Sequence, residues 1–408
     1  MKFLIQSKIK FLILISLGAH LFFYFFLYSQ RHNYLTLQQG DFPAFYTAAV
    51  MSGQHLGGEL YSATTQCEVQ KSFYPDIDLQ SGGCLYFAYP PYFVFWLKPL
   101  IAFTPYSAKI IFDGAMLVMS LLALIGLLQG RNRADQGEQF RLMTGLLLSC
   151  YPVTMGILGG QTVALSMVLY VFVLNIFRRE NSKLDWIAGI ILGLWAFKPH
   201  YPAFLILLLF AYRMWKVIAV FMACMFVNYA LGIWITGNRL WMMNWIHTIH
   251  WYSQDDLIYN AYQMISIPAI VFKCLSYFVS RESALNIYQI SNGIVALIFI
   301  VGVIAVGYRN WNKDFQTRRE NIVKSFQLAG PLVLMLSPHS LFYDFGIVFI
   351  AGLSCVDWKN DKHLQWFLIG ILAVNLLCNY RVERGIIPLA FAMPFFAVWL
   401  YRRIYKSI

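Results

Sequence analysis

Ile294-Val295-Ala296-Leu297-Ile298-Phe299-Ile300-Val301-Gly302-Val303-Ile304-Ala305-Val306 carries no charge. With its flanks it reaches the roughly 20 residues that cross bilayer hydrocarbon as a helix. Runs of the same character recur at Phe11 to Tyr28, Met116 to Leu128 and Val217 to Ile235. Composition agrees: of 408 residues, 59% are hydrophobic, 17% aromatic and 12% charged, where soluble domains carry about a quarter charged residues. Lipid is therefore the solvent for most of the chain. Backbone polar groups must be satisfied internally there, and long unbroken apolar runs do so as helices rather than as the alternating strands of a barrel. The expected fold is an all-α polytopic membrane protein, one integral domain over residues 1–408, with about 12 crossings.

Orientation follows from the basic residues. Lys2, Lys8 and Lys10 precede the first apolar run, and no small-residue cleavage site follows Tyr28, so that run is expected to be retained with its N-terminus in the cytoplasm. Residues 30–106 then form a long external loop. Within it, Pro90, Pro91, Lys98 and Pro99 make Tyr89 to Phe103 a re-entrant or interfacial piece. A second external loop covers 237–284, provided that Tyr262 to Ser280 does not cross. Under that arrangement both termini are cytoplasmic. The clusters Arg131/Arg133/Arg141, Arg178/Arg179/Lys183, Arg213/Lys216, Arg309 to Lys324, Lys359/Lys362 and Arg402/Arg403/Lys406 all fall inside. Orientation thus accounts for the net charge of +12 and leaves no basic patch for nucleic acid. The chain has no P-loop and no dinucleotide fingerprint, and its seven cysteines lack metal-ligand spacing. No metal site and no cofactor are expected.

The unusual polar motifs collect on the external side. Asp41, in Gln39-Gly40-Asp41-Phe42-Pro43, has two readings: a helix N-cap, since it stands two residues before a proline, or a carboxylate beside hydrocarbon acting as general base. Gln161, after Gly159 and Gly160, reads as a hydrogen-bond donor at a helix start or as an ordinary turn. Lys198-Pro199-His200-Tyr201-Pro202 separates two apolar segments, each short for a span, and so marks a broken helix beside a polar cavity. Lys198 there either meets an anion or snorkels to the interface. Ser337-Pro338-His339 ends another run, and His339 is a candidate for a phosphate contact or for proton transfer. Arg381 and Arg384, with Glu383 between them, suit phosphate through their donor forks. Cys67 and Cys84 share the first external loop and are either disulfide-bonded or free.

In their order along the chain, these motifs resemble the bacterial membrane mannosyltransferases of glycosyltransferase family 87, which have the GT-C fold. The residues that carry the likeness are Gly40-Asp41-Phe42 with Tyr46, Leu60-Tyr61, Tyr89-Pro90-Pro91 leading to Pro99-Leu100, Gly160-Gln161, Lys198-Pro199 and Leu336-Ser337-Pro338-His339. The resemblance implies a GT-C-like bundle in the cell inner (plasma) membrane. It implies inverting transfer, on the periplasmic side, of a sugar (mannose in that family) from a polyprenyl-phosphate donor to a glycolipid or glycan acceptor. Asp41 would be the base and Lys198 and His339 would meet the donor phosphate, with Arg381 and Arg384 added on charge. Tyr46, Gln161 and His200 are the candidate substrate contacts. The Cys67 to Cys84 insertion departs from better-known members and bears on the acceptor. Two rivals are a multi-pass transporter or flippase of a lipid-linked or anionic substrate, which also uses broken helices, and a non-catalytic partner in envelope assembly.

Overall fold

The computed structural model describes Gly18 and residues 40–74, 84–129, 133–179, 182–260, 263–337, 340–356, 361–379 and 388–405. His339, Arg381 and Arg384 lie outside these residues, as does the apolar run from Phe11 to Tyr28 apart from Gly18. The described chain is helical throughout, without a named strand, as the apolar runs predict.

Two short helices come first, α1 (Phe42–Gly53), buried on every face from Phe42 to Met51, and the more polar α2 (Ala63–Phe73). An extended stretch over 84–90 leads into the short apolar helical run Pro91–Ala102. Next is α3 (Pro105–Leu128), started by Thr104, whose hydroxyl accepts from the Ser107 amide, with Pro105 at the first helical position. α4 (Arg133–Ser149) and α5 (Tyr151–Leu158) meet at a 71° bend. Breaking a helix frees backbone groups that lipid cannot satisfy. Asn375 takes up both sides of this break, donating to the Ser149 carbonyl (2.5 Å) and accepting from the Tyr151 amide (2.8 Å). α6 (Val163–Arg178) follows, then α7 (Asp185–Trp195) and α8 (His200–Ala211), separated by the predicted break at Lys198-Pro199. The rest comprises α9 (Trp215–Thr236), α10 (Trp241–Asn260), α11 (Ile267–Leu275), α12 (Arg281–Asn310), α13 (Phe315–Leu336), α14 (Gly346–Cys355), α15 (Asp361–Asn379) and α16 (Pro388–Tyr405).

Among the described residues, α3, α9 and α12 are long and apolar enough to cross a bilayer, and the bent α4/α5 pair makes a fourth if taken as one span. The other apolar helices are shorter. α11, with nine residues, is well below the roughly 20 that a crossing needs.

α6 is the centre of the bundle, buried along nearly its whole length. Against it, Gly126 of α3 leaves room where a Cβ would come within 2.7 Å of Val171, and Asn175 donates to the Gly126 carbonyl at 2.7 Å. α7 meets α9 through Gly189 and Gly193, one helical turn apart. A Cβ at Gly193 would lie 2.4 Å from that of Cys224. Small residues at this spacing let two helix backbones approach where lipid provides no hydrophobic drive between them. At the periphery, α12 presents Ile290, Ile294, Leu297, Ile298, Val301 and Ile304 outward, as lipid-facing residues should.

The Cys67–Cys84 pair is bonded, its Cα atoms 5.3 Å apart. The same strip is held by two buried glutamines of α2. Gln66 accepts from the Phe87 amide (2.6 Å), and Gln70 both accepts from the Leu85 amide and donates to its carbonyl (2.8 and 3.0 Å). The bond closes a 17-residue separation, so Cys67→Ser/Cys84→Ser should lose about 3 kcal/mol. A lowered thermal midpoint of the purified protein, matched by wild type treated with reductant, checks this.

Candidate active site

Asp41 stands at the start of α1, yet its side chain makes no capping bond to that helix. The capping role anticipated for it is therefore not the one it fills. Its backbone amide donates instead to the Gly159 carbonyl (3.1 Å), docking the first loop on the turn after α5. Two glycines permit the approach. Gly40 has φ +84°, and a Cβ there would lie 1.6 Å from the Gly159 oxygen; Gly160 has φ +66°, and its Cβ would meet that of Phe42 at 2.6 Å. Gly40→Ala should cost about 2 kcal/mol through backbone strain and loss of this dock. Its thermal midpoint should drop more than that of Gly114→Ala, where a Cβ would meet nothing within 4 Å.

Gln161 lies directly beyond the same turn, buried, with its Oε1 lacking a hydrogen-bond partner among the described residues. A buried unpaired acceptor is costly unless a ligand satisfies it. The turn is braced by Lys109 of α3, which donates to the Leu158 carbonyl (2.8 Å) and pairs with Asp113 one turn along.

Across from this dock, Lys198 is buried at the α7/α8 break and pairs with Asp344 at 2.5 Å. Snorkelling is thereby excluded: the ammonium points into the protein. Its nitrogen also lies 5.3 Å from the Tyr343 ring centre. The second oxygen of Asp344 accepts from the Leu341 amide (3.2 Å), which fixes the carboxylate. Other groups support the break itself. Tyr92 donates to the freed Ala196 carbonyl (2.7 Å), and Phe93 stacks on Phe197 with centroids 4.9 Å apart. The Pro91–Ala102 run is thus a buttress for the broken helix.

Tyr89 and Tyr343 join the two halves. Tyr89 is within 3.4 Å of the Thr162 hydroxyl and stacks on Phe93. Burial first, then the Asp41 carboxylate, push the Tyr89 phenol well above its ordinary range, and the Tyr343 phenol rises through burial, Asp41 and then Asp344. Both remain protonated at neutral pH and act as neutral hydroxyls.

The structure therefore brings together Asp41, Gln161 and Lys198 and adds Tyr89, Tyr343 and Asp344, which sequence reasoning did not select. The missed signal at Asp344 was an acid opening an apolar helix, a costly position unless paired. The Tyr46 hydroxyl donates to the Phe103 carbonyl (2.9 Å), tying α1 to the end of the Pro91–Ala102 run. His200 lies at the start of α8, its ring 4.3 Å from that of Tyr201. Beside the site a hollow of about 250 Å³ lies between the disulfide-bonded loop and α10, lined by Tyr61, Tyr86, His247, Thr248 and Trp251. Tyr61 links the two by donating to the Tyr89 carbonyl (2.8 Å).

A helical membrane protein whose distant polar motifs meet around one cluster of carboxylate, ammonium and phenol groups has the makings of an enzyme acting at the membrane. The sequence model of glycosyltransferase family 87 matches residues 87–338, well over half of the chain, and the protein belongs to that family; it is a membrane glycosyltransferase. The matched range contains Tyr89, Gln161 and Lys198 but begins after Asp41 and stops before His339 and Asp344. Asp41 and Asp344 are tied to it by geometry. No curated protein and no solved structure gives a significant match.

Proposed function

We propose that the protein moves a sugar, mannose by its family likeness, from a polyprenyl-phosphate donor to a glycolipid or glycan acceptor on the non-cytoplasmic face of the inner membrane. About a dozen crossings, most of them short or broken helices, would carry this GT-C-like bundle. The observation that carries the reading is the docking of Gly40-Asp41 on Gly159-Gly160-Gln161, opposite Lys198.

The chemistry requires few parts. A sugar already activated as a phosphodiester leaves with lipid phosphate, so no nucleotide site is needed and one base suffices to deprotonate the acceptor hydroxyl. Asp41 takes that role. Lys198 offers its remaining N–H donors to the departing phosphate while Asp344 fixes its position, with His339, Arg381 and Arg384 as further phosphate contacts. Gln161 Oε1 accepts from a substrate hydroxyl. Attack by the acceptor from the face opposite the phosphate inverts the anomeric carbon, without a covalent glycosyl-enzyme. The Cys67–Cys84 bond supports placing the loop in an oxidising compartment, hence the external side.

The aromatic hollow beside the site is where we place the acceptor, since Tyr86 and Trp251, edge to face at 5.4 Å, can lie against the apolar face of a sugar while Thr248 and His247 meet its hydroxyls. Trp251→Ala should raise the acceptor KM about tenfold, the scale of one lost aromatic contact, with the donor KM unchanged.

The test is incubation of the purified protein in lipid vesicles with radiolabelled polyprenyl-phosphate-mannose and an extract of envelope lipids. Label should appear in an acceptor lipid or glycan. Failure with every lipid-linked sugar offered contradicts the proposal.

A further inference from the structure

α6 runs from the Asp41 site to a second polar region at its other end, about 24 Å away for 16 residues at the α-helical rise. A cavity of about 490 Å³ opens there, walled by the ends of α6 and α14 and by α13 and α16. Its described lining gathers Arg178, Arg179, Arg319, Lys324 and Arg403 against one carboxylate, Glu320.

Some of this charge has structural partners. Arg319 is buried and donates to both oxygens of Asp185 (3.0 and 3.2 Å) and to the carbonyls of Ile176 (2.8 Å) and Arg179 (2.5 Å). Arg178 and Arg403 donate to the carbonyls of Ser354 (3.1 Å) and Cys355 (2.9 Å), at the end of α14 where the helix dipole is negative. A guanidinium has five N–H groups, so Arg178 keeps donors beyond that one bond. The side chains of Arg179 and Lys324 form no ion pair among the described residues.

Basic anchors that merely set topology point outward, each into headgroups or water. Here the cations face one another across a hollow whose wall includes buried Arg319 and Gln327. Like charges collected this way repel unless an anion sits among them. Val323 and Ile404 add apolar wall to the same cavity, and it opens at the end of a lipid-immersed bundle.

We infer that this cavity binds the phosphate headgroup of an anionic membrane phospholipid, at a site separate from the Asp41 centre. Guanidinium forks match phosphate oxygens, and basic pockets between membrane helices on the cytoplasmic side take such headgroups. The bound lipid bridges α13 and α16 to the cationic end of α6, which no carboxylate among the described lining other than Glu320 can do.

Native mass spectrometry of the purified full-length protein, stripped of lipid in neutral detergent and titrated with phosphatidylglycerol, phosphatidylcholine or inorganic phosphate, tests this. Arg179→Gln/Lys324→Gln is the chosen variant because it spares the arginines that cap α14. Phosphatidylglycerol should bind saturably, about tenfold more tightly than phosphatidylcholine and about tenfold more tightly to wild type than to the variant. Glu320→Gln should tighten binding. Displacement of phosphatidylglycerol by an equal concentration of inorganic phosphate would overturn the lipid assignment in favour of a soluble phosphate. Equal binding by the double variant, or equal binding of the zwitterionic lipid, would overturn the site altogether.

Discussion

Asp41→Asn should lower sugar transfer by about a thousandfold, within the range of 10² to 10⁴ that a general base contributes, with the thermal midpoint unchanged. The substitution keeps the size of the side chain and leaves intact the hydrogen bond that the residue 41 backbone N–H donates to the Gly159 carbonyl. No capping bond is lost, because the carboxylate makes none to α1. What disappears is a group able to accept the acceptor's proton. A capping or packing role would give the opposite pattern, lowered stability with proportionate activity. Turnover and melting measured on the same preparation separate the two.

The second large effect concerns Lys198 and Asp344. Both side chains are buried, so removing either one strands a charge in low dielectric, and Lys198→Met or Asp344→Leu should each destabilise by about 3–5 kcal/mol. Lys198→Met/Asp344→Leu removes both charges and should recover most of that loss, since an apolar pair of similar volume costs little there. The double variant should nonetheless fail to transfer sugar, because the ammonium proposed to meet the donor phosphate is gone. Thermal melts of the four proteins in one detergent give the coupling. Additive single losses would mean that the ion pair does not exist in the membrane. An active double variant would remove Lys198 from the donor site.

Much of this architecture was legible beforehand because lipid simplifies the problem. Uncharged runs such as Ile294 to Val306 have one solution as backbone in hydrocarbon, and α12 is that solution. Proline pairs announced the run at Pro91–Ala102 and the break between α7 and α8 for equally local reasons. Contacts between distant segments were not legible. Gly40 and Gly160 could be seen as flexible, but nothing local says that their φ of +84° and +66° serve one dock. The Lys198–Asp344 pair spans 146 residues, and the charge of a lysine at a helix break does not name its partner. The bond from Tyr46 to Phe103 was illegible for the same reason, being a tertiary one. The number of crossings was read from apolar length, whereas this bundle uses many short and bent pieces for which length alone is a poor guide.

The central claim is a single displacement with Asp41 as base and lipid phosphate as leaving group. The configuration of the anomeric carbon in the product, determined by nuclear magnetic resonance after transfer from a polyprenyl-phosphate sugar of known configuration, tests it most directly. Inversion relative to the donor is the predicted result. Retention would require either two successive displacements through a covalent glycosyl-enzyme or attack on the same face as the leaving phosphate, and would contradict the account.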